Sequence, residues 1–161
     1  MIVAILSDSH DNIWNVEKAL PQLAEAGMLI FCGDFCAPFT LKMLADGFDG
    51  PVHGMLGNND GDALLLARIA NEAENVTLYQ GMGQVTVGEV KVAFAHYPQI
   101  GKALAQSGQY AAVFSGHSHR QGTERIGDTL WVNPGEVMGR YGEPGFALYD
   151  TETGEARFVR L

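Results

Sequence analysis

Seven side chains of the kinds that bind divalent metal ions stand in five short clusters along the chain. They are two aspartates, one asparagine and four histidines, namely Asp8, His10, Asp34, Asn58, His96, His117 and His119. Carboxylate, carbonyl and imidazole ligands suit ions such as Mn, Fe, Co, Ni and Zn. Seven ligands are too many for one tetrahedral zinc, but two ions that share one carboxylate would use them all. The residue types therefore predict a two-ion centre that could activate a water molecule.

An apolar segment of strand length precedes each of the five clusters. These segments are residues 2–6, 28–31, 52–56, 90–95 and 111–115. In open α/β sheets, ligands bind in the crevice beyond the carboxyl ends of the strands. One such cluster alone is usually a helix cap or a turn, but five in order predict a shared site. Adjacent glycines would let the chain turn sharply or come close to this site, at Gly33, Gly57 and Gly116.

The pattern of the remaining segments predicts how this sheet is built. Helical spacing over residues 13–26, 38–44 and 63–70 alternates with the first three strands, which favours an α/β arrangement with parallel pairing. The second half is richer in strands, with a hairpin, a short helix and further strands at residues 85–87 and 90–95, 100–106, 111–115, 129–132, 146–149 and 156–161. This mixture predicts two sheets with helices outside. Because there is no repeat or linker, residues 1–161 are predicted to form one domain.

Composition excludes several classes of protein. The chain has 161 residues, is 47% hydrophobic and 18% charged, and carries a net charge of −9, which argues against disorder and against general nucleic-acid binding. No apolar run approaches the roughly 20 residues that span a bilayer, and the first residues lack the basic start of a secretory signal. The two cysteines, Cys32 and Cys36, are expected to be free thiols. We therefore predict a cytoplasmic protein without membrane contact.

The five clusters together resemble a known family. Their order matches the motifs of the calcineurin-like metallophosphoesterases, as Asp8-Ser9-His10, Gly33-Asp34, Gly57-Asn58-Asn59-Asp60, His96 and Gly116-His117-Ser118-His119. The resemblance covers most of the chain, including Asn133-Pro134-Gly135, and is strongest to the small bacterial and archaeal phosphodiesterases. The retromer subunit is a relative with the same fold. The resemblance implies a four-layer α/β/β/α sandwich of two mixed sheets with a dinuclear metal site.

The resemblance also assigns roles to the seven residues. It implies that one ion is held by Asp8, His10 and His119, that a second is held by Asn58, His96 and His117, and that Asp34 bridges both. Asp34, Asn58 and His96 are also the expected catalytic residues. Manganese is the expected metal, with iron, nickel, cobalt and zinc as alternatives. His53-Gly54 imitates the fourth motif, but His53 lies inside a predicted strand and we interpret it as structural.

The function implied is hydrolysis of small phosphodiesters by a hydroxide held between two divalent ions. A phosphomonoesterase and a non-catalytic metal-binding scaffold like the retromer subunit are the alternatives. A nuclease would need a basic or aromatic groove, which the sequence does not show. Two departures from the family concern the substrate. Asn59 replaces a histidine that protonates the leaving group in larger phosphatases, and Tyr97 follows His96 where glycine is common, which predicts a narrower cleft. A homo-oligomer and substrate contacts by Asn12 or Arg120 are left open.

Overall fold

Strands account for most of the regular structure in the computed structural model, which describes residues 1–161. The strands are β1 (Ile2–Leu6), β2 (Met28–Phe31), β3 (Val52–Met55), β4 (Val76–Tyr79), β5 (Gly83–Val87), β6 (Val90–Ala95), β7 (Ala112–Ser115), β8 (Gln121–Ile126), β9 (Thr129–Pro134), β10 (Gly145–Asp150) and β11 (Glu155–Arg160). The α-helices are α1 (Ile13–Ala19), α2 (Pro38–Gly47), α3 (Ala63–Glu72) and α4 (Pro98–Gln106).

The strands form two mixed sheets. The first has six strands in the order β11-β10-β1-β2-β3-β4, and its four strands from β1 to β4 are parallel, as predicted from their alternation with helices. The second has five strands in the order β5-β6-β7-β9-β8, in which β6, β7 and β9 are parallel and the two edge strands are antiparallel. The parallel strands of each sheet thus direct their carboxyl ends to one edge.

Alternating side chains of β1 show how the layers pack. Val3 and Ile5 belong to the core between the two sheets, whereas Ala4 and Leu6 belong to the core that α1, α2 and α3 cover. A smaller cluster packs α4 against the outer face of the second sheet through Ala105. A strand buried on both faces needs apolar residues at consecutive positions, which is what β1 provides. The predicted four-layer α/β/β/α sandwich is confirmed.

The first helix is shorter than the predicted residues 13–26. The α-helix ends at Ala19, and a 3-10 helix follows over Leu20–Leu23 with Pro21 in its first turn. Proline has no backbone N–H and its ring collides with the preceding helical turn, so the α-helix stops before it. The other predicted elements agree with the structure to within three residues at each end.

Two strands lack a sequence prediction, and both lie at sheet edges. Strand β4 ends the first sheet and β8 ends the second. Most side chains of β8 are exposed, and those of β4 are at most half-buried. An edge strand buries little of its surface, so its sequence carries no strong apolar pattern.

The two tryptophans differ in burial. Trp131 is buried and donates from Nε1 to Ser115 Oγ at 3.0 Å, as expected of a packing residue. Trp14 is 67% exposed at the start of α1. Its place in the first turn, on the solvent side of the helix, explains the difference. None of the helices has the length and apolar character that crossing a membrane requires.

His53 lies inside strand β3, where sequence alone put it. In the sheet, His53 pairs with Ile30 of β2 on one side and with Thr77 of β4 on the other. Its Nδ1 is 3.0 Å from the hydroxyl of Tyr79. Burial lowers the pKa of His53, which favours the neutral ring. The histidine is therefore a sheet residue held by its neighbour and lies outside the two groups of candidate ligands.

Candidate metal centre

The structure brings the candidate ligands together beyond the carboxyl ends of five strands. The candidate ligands form two groups, and within each group the ligand atoms lie within 4.8 Å of one another. The first group is Asp8, His10 and His119, and the second is Asp34, His96 and His117. The seventh residue, Asn58, places its Oδ1 at 2.9 Å from Nε2 of His96, so it adjoins the second group. The family motifs divide the same seven residues between two ions, with Asp34 shared, and that assignment of ligands stays a prediction.

Asp34, a member of the second group, also faces the first group. Its Oδ2 is 3.6 Å from Nε2 of His10, in the first group, and 3.5 Å from Nε2 of His96, in the second. The backbone N–H of Asn59 donates to Oδ1 of this buried carboxylate at 2.8 Å, and the Asn59 side-chain amide donates to Oδ2 at 2.8 Å. One oxygen of Asp34 is thus fixed where it faces ligands of both groups.

Three of the histidines are oriented through their Nδ1 atoms. Nδ1 of His96 is 2.8 Å from the carbonyl oxygen of Cys32, Nδ1 of His119 is 2.6 Å from Oε2 of Glu136, and Nδ1 of His10 is 3.5 Å from Sγ of Cys36. A partner on Nδ1 fixes the ring and leaves Nε2 free to bind a metal, as in many metal sites. In all three rings Nε2 faces the carboxylates of the cluster.

Unpaired buried atoms show that the first group fits a cation. Oδ2 of Asp8 accepts hydrogen bonds from Ser7 Oγ at 2.6 Å and from the His117 N–H at 2.9 Å. Oδ1 of Asp8 has no hydrogen-bond partner, and neither has Nε2 of His10, which lies 3.8 Å away. Burying a polar atom without a partner costs free energy. A cation bound between these atoms would satisfy both.

Electrostatics favour a cation at the same place. The adjacent carboxylate of Asp8 raises the pKa of His10, with Asp34 and Asp60 adding to the effect and burial opposing it. In the second group, the carbonyl of Cys32 can only accept, so Nδ1 of His96 donates. Its Nε2 in the neutral ring then presents a lone pair to the oxygens of Asn58 and Asp34. A positive ion converts this repulsion into coordination.

The backbone around the cluster is strained. Eight residues other than glycine have positive φ in the left-handed region, and five of them are candidate ligands: Asp8, His10, Asp34, His117 and His119. Aspartate and histidine tolerate this region better than most residues, yet each such residue costs about 1–3 kcal/mol. Strain concentrated in this way is typical of sites where function dictates the backbone.

All three glycines noted in the sequence let segments of the chain approach closely, and a Cβ atom on Gly116 would collide with Oγ of Ser7. A Cβ atom on Gly33, whose φ is +102°, would lie 2.6 Å from Nδ1 of His96. A Cβ on Gly57 would collide with the carboxylate of Asp34 and lie 2.7 Å from its backbone nitrogen. Glycine at positions 33 and 57 is therefore required for the loops after β2, β3 and β6 to meet.

Two acidic residues that sequence reasoning missed support the cluster, the half-buried Asp60 and the buried Glu136. Asp60 accepts hydrogen bonds from the backbone N–H groups of Asp34, Cys36 and Gly57, and thereby ties together the loops after β2 and β3. Burial raises the pKa of Asp60, and these bonds oppose the shift. Because Asp60 stands in the same motif as Asn58, its position in the sequence could have indicated a role near the site.

Glu136 is the second missed residue. It follows the Asn133-Pro134-Gly135 turn and is buried, with Oε2 at 2.6 Å from Nδ1 of His119. Its Oε1 accepts from the backbone N–H groups of Tyr141 at 2.5 Å and Gly142 at 2.7 Å. One carboxylate thus orients a candidate ligand and holds the loop beside it. Only the three-dimensional contact of β9 with β7 reveals this role.

Three residues lie next to candidate ligands but belong to neither ligand group, namely Asn12, Arg120 and Cys36. Asn12 uses Nδ2 to donate to the carbonyl of Met138 and Oδ1 to cap α1, so its side chain is already occupied. Arg120 is exposed and makes no ion pair. Burial raises the pKa of Cys36 to about 12, which keeps it a thiol, and both cysteines are free.

Comparison with known proteins identifies related sequences. A family model described as calcineurin-like phosphoesterase superfamily domain matches residues 1–154. Phosphodiesterase MJ0936 of Methanocaldococcus jannaschii is 29% identical over 166 aligned positions, which cover 100% of this chain and 99% of that protein. Both matched ranges extend over almost the whole chain and span the positions of all seven candidate ligands.

Solved structures show the same fold. The structure of an archaeal phosphodiesterase superposes with a TM-score of 0.91 at 29% identity and covers 100% of both chains. Vps29 of Entamoeba histolytica, in complex with zinc, superposes with a TM-score of 0.69 at 15% identity and covers 100% of this chain and 98% of that one. At that identity the second similarity shows the fold alone.

Proposed function

The chain belongs to the calcineurin-like phosphoesterase superfamily, and on that premise we propose that it hydrolyses small phosphodiesters at the Asp34 cluster with two divalent metal ions. A metal-dependent phosphoric ester hydrolase is what the family and the phosphodiesterase relative support. The proposal of two ions at one centre rests on the position of Asp34 Oδ2, which lies 3.6 Å from Nε2 of His10 in the first group and 3.5 Å from Nε2 of His96 in the second.

The proposed ligand sets follow the two groups. Asp8, His10 and His119 would hold one ion, while Asn58, His96 and His117 would hold the other. Asp34 would bind both and serve with Asn58 and His96 at the reacting centre. Manganese is the proposed metal, with iron, nickel, cobalt and zinc as alternatives that suit the same ligands. Bound there, the ions would supply a hydroxide nucleophile near neutral pH and neutralise charge on phosphate oxygens.

The charge of the ligand set favours a small anionic substrate. Asp8 and Asp34 are its only carboxylates, so they offset two of the four positive charges that two divalent ions bring. The site would stay positive in a protein whose net charge is −9. Hydrogen bonds from Ser7 to Asp8 and from Asn59 to Asp34 fix the orientation of these two carboxylates.

A small substrate fits better than a nucleic-acid strand. Strand binding needs basic side chains free to contact phosphates. Of the 10 basic residues, six are paired with acidic side chains, namely Lys42, Arg68, Lys102, Arg125, Arg157 and Arg160. Only four basic side chains, those of Lys18, Lys91, Arg120 and Arg140, are outside such pairs, which supports a small substrate over a polymer.

Hydrolysis of bis(para-nitrophenyl) phosphate tests the proposal. We expect the Mn²⁺-loaded protein to release nitrophenol, a chelator to stop the release, and added Mn²⁺ to restore it. The related Vps29 structures fit the alternative of a metal-binding scaffold. Metal binding without hydrolysis of any diester or monoester would favour that scaffold and contradict the proposal.

Asn59 is expected to restrict the reaction to esters with good leaving groups. Its amide donates to Asp34 and is no useful acid, and a general acid is worth roughly 10²–10⁴-fold. Asn59→His should therefore raise hydrolysis of alkyl monoesters relative to bis-aryl diesters by about tenfold or more, measured as a ratio of kcat/KM values. The exposed Asn71→His in α3 is the control and should leave the ratio unchanged. Equal rates on both substrates in the unmodified protein would refute this account of Asn59.

A further inference from the structure

A cavity of about 350 Å³ opens directly beside the candidate metal centre. His96 and Gly57 form the wall that it shares with the centre, and Tyr97, Ile100 and Ala63 form much of the remainder. Its volume lies at the lower end of the range of small-molecule sites. A substrate whose phosphorus is held at the ligand cluster would have this cavity next to one of its ester substituents.

The walls of the cavity suit an apolar, planar group. Tyr97 is 37% exposed, and its ring centroid lies 5.1 Å from that of His96 and 4.8 Å from that of His117. Ile100 is 39% exposed on the same helix start. No lysine or arginine lines the cavity. The one acidic residue, Asp60, already accepts three backbone hydrogen bonds and offers little to a ligand.

The opposite end of the cluster has different chemistry. There Tyr141 is 73% exposed and lies edge-on to His119 with the ring centroids 5.2 Å apart. Arg140 lies 5.7 Å from the centroid of the Tyr141 ring. Tyr141 is thus a second aromatic side chain next to a candidate ligand, but it does not line the cavity. It provides a matched comparison for Tyr97.

We propose that this cavity is a subsite for an aromatic substituent of the phosphodiester, with Tyr97 as the residue that selects it. The inference rests on the proposed function and specifies its substrate class. Tyr97 is fixed at the start of α4, where its carbonyl accepts from the N–H of Gly101 at 3.0 Å. Its ring contacts two candidate ligands and therefore has little freedom, so an aromatic group can pack against it at small entropic cost.

Binding of two phosphonates, measured by calorimetry, tests the subsite without a leaving group. For the Mn²⁺-loaded protein we expect phenylphosphonate to bind about tenfold more tightly than methylphosphonate, because the ring gains an aromatic contact and buries apolar area. Tyr97→Leu should reduce this preference to about twofold, while Tyr97→Phe should retain it. Tyr141→Leu should also retain it, since Tyr141 lies outside the cavity.

Each other outcome decides against a specific claim. Equal affinity of the unmodified protein for the two phosphonates overturns the subsite. A preference for phenylphosphonate that Tyr97→Leu leaves intact also overturns it. So does a preference that Tyr141→Leu abolishes as fully as Tyr97→Leu does. These results leave the proposed function standing wherever bis(para-nitrophenyl) phosphate is still hydrolysed. Absence of binding by both phosphonates together with absence of hydrolysis overturns the proposed function and the subsite with it.

Discussion

Asp34→Asn is expected to abolish hydrolysis of bis(para-nitrophenyl) phosphate and to weaken metal binding at both positions. Asparagine keeps the size of the side chain but removes the charge of the one carboxylate that faces both groups of ligands. Loss of a single oxyanion-hole donor costs roughly 10²–10³ in rate, and we expect the loss here to exceed about 10³-fold. Mn²⁺ affinity should fall by more than the roughly 10–100-fold that loss of an outer hydrogen-bonding partner costs.

Activity and Mn²⁺ titrations on the same samples measure both effects. Asp128→Asn, an exposed change in the turn between β8 and β9, removes the same charge away from the cluster and should leave both unchanged. Should Asp34→Asn bind two ions with native affinity and retain activity, Asp34 would have no bridging role.

Glu136→Gln is expected to have the second largest effect although Glu136 touches no proposed metal ion. Glutamine can still accept the backbone hydrogen bonds of Tyr141 and Gly142, so the loop should keep its position. Its amide N–H₂, however, would face Nδ1 of His119 and favour the ring with its hydrogen on Nε2, the atom that faces Asp8. Comparable loss of an orienting partner lowers metal affinity or activity roughly 10–100-fold.

Thermal unfolding distinguishes this effect from simple destabilisation. We expect Glu136→Gln to lower Mn²⁺ affinity and kcat while the melting temperature of the metal-free protein changes little. Glu143→Gln breaks only the exposed ion pair with Arg160 and is the matched control. Unchanged Mn²⁺ affinity in Glu136→Gln, or a loss of activity fully explained by unfolding, would contradict a role in orienting His119.

The parts of the fold that sequence predicts well are those buried on two faces. Segments such as β1 and β2 are apolar at every position, and both lie in the centre of the first sheet. Strand β8 is polar and exposed because it lies at an edge, so no pattern in its residues indicates pairing. Pro21 was visible in the sequence, yet its effect depends on whether the chain leaves the helix there, which tertiary packing decides.

For the candidate site, residue types and order predict which side chains meet, and strand ends predict where. The contacts that orient them are not predictable in the same way. Glu136, after β9, contacts His119, after β7. The ring of Tyr97 borders a cavity whose other walls come from the segment after β3, the start of α3 and the turn after β4. Such contacts depend on how two sheets pack. The single domain and the cytoplasmic location stay predictions from sequence.

Metal content measured together with turnover tests the central claim most directly. The protein is loaded with Mn²⁺ in steps, and at each step bound metal per chain and the rate of bis(para-nitrophenyl) phosphate hydrolysis are determined on one sample. We predict that binding saturates at two ions per chain and that the rate reaches its maximum only as the second ion binds. Full activity with one ion per chain, or in the metal-free protein, would contradict a centre in which Asp34 joins two ions.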